Sequence, residues 1–532
     1  MDERCSINIV ELCESRWSGQ AFVRWDEPSR ICHLGCRPEL LPSVCAWLDE
    51  ELDYVFATLI VEDAREAIWS LTYVFYGAAQ PPWIHVEIKL DAGVTTAPSI
   101  SHLPQGPAAD WHERETKDLF GLIFEGHPRL GDFILHEDWP EGANPMRRDF
   151  DPRRRVAGQE PDQEWRPPTV VAAHGAFAMP IGPVFSDFAE SAHFLLETVG
   201  EDVIRTIPRL FYKYRGVEKI AEGQSPECAL LLAERFSGNA AFAHGLAFCQ
   251  ALEMIGKIDV PPRALALRSV FAELERLRSH AATVTGICNS TALAVAASES
   301  ALIEEDLLRL SCEVAGHRYL FGLVTPGGMT RDFSPETLEH LAAASAAATK
   351  RLRKLHRMLR YSSSFLDRLE QVGTVSAENA RSYGLVGPIA RASGIGRDIR
   401  KLIPYAAYNS VHFNTPFEEE GDGYARLRIL FREARQSSSI IRQLLLALPD
   451  GPVRAEVGAP RNGAALSAVE APVGAAFHWL RLDENGAIAR YRITPPSFAN
   501  WHGFHLAAEN FAFQDFPIIL ASFGLSNAEC DR

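Results

Sequence analysis

The chain has 532 residues, 47% of them hydrophobic and 23% charged, with a formal net charge of -16. That length exceeds what one core normally organises, so two or three domains are expected. The acidic balance excludes a general nucleic-acid binder, which needs a basic face, and no stretch approaches the ~20 apolar residues that span a bilayer.

In chain order, MDERCSINIVELCESRW carries acids early and lacks an apolar centre, so it does not read as a signal peptide. Ten thinly spread cysteines read as reduced thiols of a cytosolic protein. The one close pair, Cys32 and Cys36 in CHLGC, flanks His33, with Cys45 the nearest further thiol. A metal site would need more ligands at suitable spacing, so a structural role is expected. Residues 1–150 mix strand-like VFATLIVE and WIHVEIKL with helix-like LLPSVCAWLDEEL, the pattern of a small α+β domain. Within it, ADWHERETKDLFG places Asp110 and Glu113 at capping-box spacing and Gly121 as a helix stop. Its mixed charges fit a solvated helix or a docking site. Residues 151–175, rich in Pro and charge, read as a linker. Basic clusters (Arg147, Arg148 and Arg153 to Arg155; Lys350, Arg351, Lys354 and Arg357) fit a solvated face or an acidic partner.

Residues 176–532 read as a long-helix bundle with small β-sheets. PPRALALRSVFAELERLRSH opens on prolines suited to a first turn, and Ser334-Pro335 caps a helix expected to stop near Gly373. HWLRLDENGAIARYRITPP reads as a hairpin turning at Asn485-Gly486. The fold class is therefore α+β: a small mixed domain followed by a mainly helical one.

The run HERETKDLFGLIFEGHPRLGDFILHEDWPEGANPMRRDF resembles the signature of the 30 kDa hydrophilic subunit of respiratory complex I and its hydrogenase-4-type relatives. From Gly182-Pro183 through RGVEK, FAHGLAFCQALE, GHRYLFGLVTPGG, GPIARASGIGRDIRKLIPYAAY, VEAPVG and PPSFANW, the chain resembles the 49 kDa subunit. That subunit shares its fold with nickel-iron hydrogenase large subunits. A fusion of both modules in this order is most like the large subunits of formate hydrogenlyase and hydrogenase-4 complexes. The resemblance implies a non-membrane core subunit, cytoplasmic and peripheral on the inner face of the cell membrane. Its implied partners are an iron-sulfur small subunit and membrane subunits, with no nucleic acid. No cofactor is expected on this chain; the iron-sulfur cluster belongs to a partner, with quinone at the interface.

The resemblance also bears on RFSGNAAFAHG. Hydrogenases carry Arg-x-Cys-Gly-x-Cys there and a second cysteine pair near the C-terminus; thiolates suit nickel and low-spin iron. Here those four places read Ser237, Ala240, Ser526 and Glu529, and the Ala-Pro-Arg-Gly motif reads Ala471-Pro472-Val473-Gly474. Ligands and neighbouring charge are lost together, so no metal is expected. The quinone-binding residues of complex I do not carry over either: its tyrosine falls at Gly238, and Phe185 stands where its first histidine should be. What remains is a polar shell of Glu218, Arg235, His244, Glu190 and His193. Glu218 matches the glutamate that passes protons in hydrogenases, and Glu218 and His244 are the candidate catalytic residues. Their structural alternatives are Glu218 ending a helix or pairing with Arg215 or Lys219, and a satisfied core histidine at 244. Asp398 and Arg400 read as a structural ion network. At the level of function, the rivals are an enzyme with a remodelled acceptor pocket, a catalytically dead scaffold, and a hydrogenase with displaced ligands. No G-x-G-x-x-G follows a strand, so NAD chemistry would belong to another subunit.

Overall fold

A computed structural model describes residues 9–27, 29–63, 68–78, 82–153, 156–158, 160, 171, 174–185 and 190–532. Most of the expected linker, including Arg154 and Arg155, lies outside them, as do residues 1–8 and 186–189. The chain divides into two compact units, residues 1–167 with 382–384, and residues 168–381 with 385–532.

The first unit is built on a five-stranded sheet in the spatial order Ala21–Asp26, Ile31–Cys36, Trp83–Leu90, Trp69–Tyr76, Val55–Asp63. Only the pairing of Ile31–Cys36 with Trp83–Leu90 is parallel. The helix Pro107–Phe120 starts at Gly106 with no side-chain cap, so the expected Asp110/Glu113 capping box does not form, while Gly121 at φ +81° does close the helix. Pro107 suits a first turn, where its missing N–H costs nothing. Nor is this helix a solvated one. Glu113, Glu115 and Asp118 are buried, and Asp118 Oδ2 accepts the N–H groups of Phe133, Ile134 and Leu135 at 3.0, 2.8 and 3.2 Å. Charged residues of the ERETKD run thus satisfy loop backbone that would otherwise be buried without partners.

Glu113 shows the cost. Its carboxylate accepts from Ser99, Ser101, Tyr73 and the Ile100 N–H, yet burial outweighs these donors and pushes its pKa up to about 7 from 4.5. Between those values the folded state holds a proton that the unfolded chain has released. Stability of the first unit should therefore fall as pH rises through this window, by up to about 3 kcal/mol, and level off above it. Urea denaturation at stepped pH checks this, and Glu113→Gln should flatten the dependence.

In the second unit the long helices Pro262–Ser290, Ala294–Ala315, Pro335–Leu359 and Gly423–Leu446 pack side by side. Ser334 Oγ accepts the Thr337 N–H at 3.3 Å, as a helix cap should. The third helix ends at Leu359, short of Gly373, because Ser362 begins a separate short helix, Ser363–Leu366. The helix Ala241–Gly256 lies on a three-stranded antiparallel sheet, Ala464–Ala471, Gly474–Leu482 and Ile488–Thr494. The last two form the expected hairpin, with Gly486 at φ +85° in its turn. Among the described residues no helix is long and apolar enough to cross a membrane.

Candidate functional site

The segment 235–245 is fastened by the neighbouring helix Pro262–Ser290. Ala240, the residue preceding the helix Ala241–Gly256, has no side chain able to cap it. Glu275 supplies the cap, accepting the N–H groups of Phe242 and Ala243 at 2.7 and 3.0 Å. Burial pushes its pKa up to about 7. One turn on, Arg278 donates to the carbonyls of Gly238 and Asn239 at 3.1 and 2.8 Å. Two charges spaced for one helix face therefore hold both the donors and the acceptors of the loop.

Behind the loop lies a buried polar chain. Ser237 Oγ donates to Glu529 Oε1 at 3.3 Å. His244 Nε2 stands 3.7 Å from the same oxygen, beyond hydrogen-bond reach, and has no partner among the described residues. On its other side, His244 Nδ1 meets His478 Nε2 at 2.9 Å, and His478 Nδ1 meets Tyr491 Oη at 2.7 Å. Burial holds His478 well below the usual imidazole range, so its ring is neutral. A neutral imidazole offers one donor and one acceptor. With Tyr491 donating to His478 Nδ1, His478 Nε2–H donates to His244 Nδ1 and leaves His244 Nε2–H facing Glu529, tautomers being assigned from the network. The chain thus has two opposite polarities, related by moving one proton from end to end.

Glu218 is buried beside this chain. It accepts the Ile493 N–H at 2.8 Å and pairs with Arg532 at 3.1 Å, not with Arg215 or Lys219; Lys219 pairs with Glu222 at 2.8 Å. Burial first, and then the Glu218 charge, raise the Tyr491 pKa well above the usual phenol range. Glu190, exposed, takes the Ser526 hydroxyl at 3.0 Å and the Ala528 N–H at 2.9 Å.

The remaining expected residues stand apart. Arg235 is 45% exposed in its side chain, donates to Leu231 O and Glu234, and lies over the Phe321 ring. His193 begins the strand His193–Val199, opposite Arg209, whose charge adds to burial in lowering its pKa. Val473 packs on Gly387, and its carbonyl accepts from Asn500. At Gly238 the nearby ring comes from Tyr319, 3.8 Å from where a Cβ would lie. Sequence reasoning missed His478, Tyr491, Glu275, Arg278 and Arg532. The trace of His478 is an imidazole among the apolar residues of GAAFHWL; Tyr491, in IARYRIT, leaves no such signal.

Asp398 and Arg400 do form an ion network. Arg400 pairs with Asp398 at 2.7 Å and Glu273 at 2.9 Å, and Arg391 with Glu433 at 2.7 Å and Glu470 at 2.8 Å. Arg276 donates to the backbone carbonyls of Glu470 and Ala471, and His280 meets Glu433 at 2.9 Å. Three guanidinium groups face four carboxylates, and burial raises the pKa of Glu470.

A nickel-iron centre does not fit these residues. In the four thiolate places, Ser237 and Glu529 bond each other, Ser526 is engaged with Glu190, and Ala240 offers a methyl group. Glu529 also accepts the Ser497 N–H at 3.3 Å. The adjacent Cys530 is buried, which pushes its pKa well above the usual thiol range, and thiolates are what soft metals require.

Comparison with known proteins bears on the whole chain. The family described as respiratory-chain NADH dehydrogenase, 30 Kd subunit, matches residues 34–156. That described as the 49 Kd subunit matches residues 300–461 and 456–532. Formate hydrogenlyase subunit 5 of Escherichia coli is 30% identical over 85% of this chain and 79% of its own length. Hydrogenase-4 component G of the same organism is 30% identical over 93% of this chain and 86% of its own length. The C/D subunit of an NADH-quinone oxidoreductase from Acinetobacter baylyi is 27% identical over 100% of this chain and 98% of its own. The chain belongs to this family of fused 30 kDa and 49 kDa core subunits of complex I-like and hydrogenase-4-like oxidoreductases.

Proposed function

We propose that the chain is a non-membrane core subunit of a membrane-bound complex I-like or hydrogenase-4-like assembly, working without a nickel-iron centre. It sits on the cytoplasmic face, held to the membrane by partner subunits, and faces an iron-sulfur subunit that supplies electrons. Its polar chain handles the accompanying protons, and a quinone or another small acceptor is reduced at the interface with that partner. The observation that carries this reading is the buried hydrogen-bonded run from Tyr491 through His478 to His244, whose Nε2 faces Glu529 across 3.7 Å, with Glu218 alongside. From the polarity assigned above, a proton passed from Tyr491 toward Glu529 reverses the bonds of that run once His244 Nε2 and Glu529, 3.7 Å apart, close to hydrogen-bond distance. The His244 ring, lying between the tilted rings of Phe236 at 4.5 Å and His478 at 5.2 Å, is placed for proton transfer more than for holding a bulky ligand.

The test uses the assembled complex. His244→Ala and Glu218→Gln should each lower turnover by roughly 10²–10⁴, the usual weight of a positioned proton-transfer group, with the complex still assembled. Full activity in both variants would favour a scaffold with a dead site. Elemental analysis should find no stoichiometric nickel; finding it would overturn the reading.

A further inference from the structure

In the sequence His33 stands between Cys32 and Cys36, but strand alternation separates it from its neighbour. Cys32 contacts Cys13 on one face of the sheet, while His33 projects from the other. In the parallel pairing of Ile31–Cys36 with Trp83–Leu90, His33 stands directly opposite His85, and Glu87, two residues on, projects from the same face. One ligand atom from each of the three lies within 4.8 Å of the others. His33 Nδ1 meets Glu87 Oε1 at 2.6 Å, and the two imidazoles meet edge to face at 5.2 Å. His85 is only 5% exposed, and its Nε2 has no hydrogen-bond partner among the described residues.

We propose that His33, His85 and Glu87 bind one divalent transition-metal ion, zinc foremost, with water completing the coordination. Two imidazoles and one carboxylate are a borderline donor set, suited to zinc and its neighbours and poorly suited to calcium or magnesium. Bonds of about 2.0–2.2 Å place donor atoms roughly 3–3.5 Å apart. The present spacing therefore needs shifts of about an ångström, which the half-buried His33 and Glu87 can make. Bound metal would give the buried Nε2 of His85 the partner it lacks. The charge of Arg24, opposite His33 on the edge strand and exposed, reaches Glu87; it opposes the ion but faces water. Nothing in this site depends on the proton chain in the second unit.

The full-length chain, stripped of metal, should take up one equivalent of Co²⁺ with weak d–d bands and no thiolate charge-transfer band, and zinc should displace it. His33→Gln and Glu87→Gln, both at half-buried positions, should each weaken binding by about 100-fold or more, since loss of even a supporting residue costs 10–100-fold. Zinc-edge X-ray absorption on the wild-type chain should show two imidazoles and no sulfur, a readout independent of how the variants fold. Absence of saturable one-to-one binding, undiminished binding in the two variants, or sulfur in the coordination shell would each overturn the assignment.

Discussion

Arg391→Met is expected to destabilise the second unit by about 3–5 kcal/mol, the usual consequence of removing one partner from a buried ion pair. Arg391 lies on the short helix Gly387–Ala392 and is fully buried. Its guanidinium joins Glu433, on the helix Gly423–Leu446, to Glu470, on the strand Ala464–Ala471, and also donates to the Arg397 carbonyl at 3.0 Å. Once it is gone, Glu433 keeps His280 and Glu470 keeps the Ile399 N–H. Neither replaces a full charge at a buried site. The penalty is the stranded carboxylates, so adding Glu433→Gln and Glu470→Gln should recover part of it. Arg351 is the control. It also spans two acids, Glu299 and Asp306, but is half-exposed, and Arg351→Met should cost less than about 1 kcal/mol. Urea denaturation followed by hydrogen exchange in Gly423–Leu446 reads the second unit alone. A cost for Arg391→Met as small as the control's would show that the network is not a stabilising joint.

Gly387→Ala should cost the second unit roughly 3–5 kcal/mol, from a left-handed backbone and a steric overlap acting together. Gly387 has φ +67°, and a Cβ built there falls 2.2 Å from Val473 O, 2.5 Å from Val473 C and 2.6 Å from Gly474 Cα. All three are backbone atoms, so no rotamer change relieves the contact. The turn cannot simply retreat, because Asn500 clamps both sides of it. Its Nδ2 donates to the carbonyls of Val386 at 3.2 Å and Val473 at 3.1 Å, and its Oδ1 accepts the Val386 N–H at 3.0 Å. Gly458 is the control, having no positive φ and nothing within 4 Å of a Cβ; Gly458→Ala should change stability by less than about 0.5 kcal/mol. Thermal unfolding of the two variants decides it, and equal melting temperatures would refute the clamp.

GPIARASG, VEAPVG and PPSFANW, three of the motifs that carry the resemblance, meet in this contact though they are far apart in sequence. Along the chain they are separate motifs; folded, Gly387, Val473, Gly474 and Asn500 are one joint. The opposite lesson comes from ADWHERETKD. Its spacing is that of a capping box, but the helix begins at Pro107, and Glu113 and Asp118 turn inward to loop groups that no local pattern could announce. The helix expected after Ser334 likewise runs too long, since periodicity continues past the point where the chain turns at Leu359. Of the site, the loss of thiolates at 237, 240, 526 and 529 is legible from residue types alone. The partners of His244 are not. His478 lies 234 residues along the chain and Tyr491 on the next strand.

By itself the sequence determined what local chemistry determines: prolines and Ser334 at helix starts, Asn485-Gly486 at a hairpin, apolar periodicities that make helices and strands, and an absence of soft ligands. Its motifs also determined family, because related chains share a fold. The tertiary structure alone decided which polar groups meet in the absence of water. Strand register set His33 against His85, and helix-on-sheet packing set His244 against His478. These pairings are fixed by the closing of distant segments over a common core, where a buried donor or acceptor is held by whichever partner the packing brings within reach.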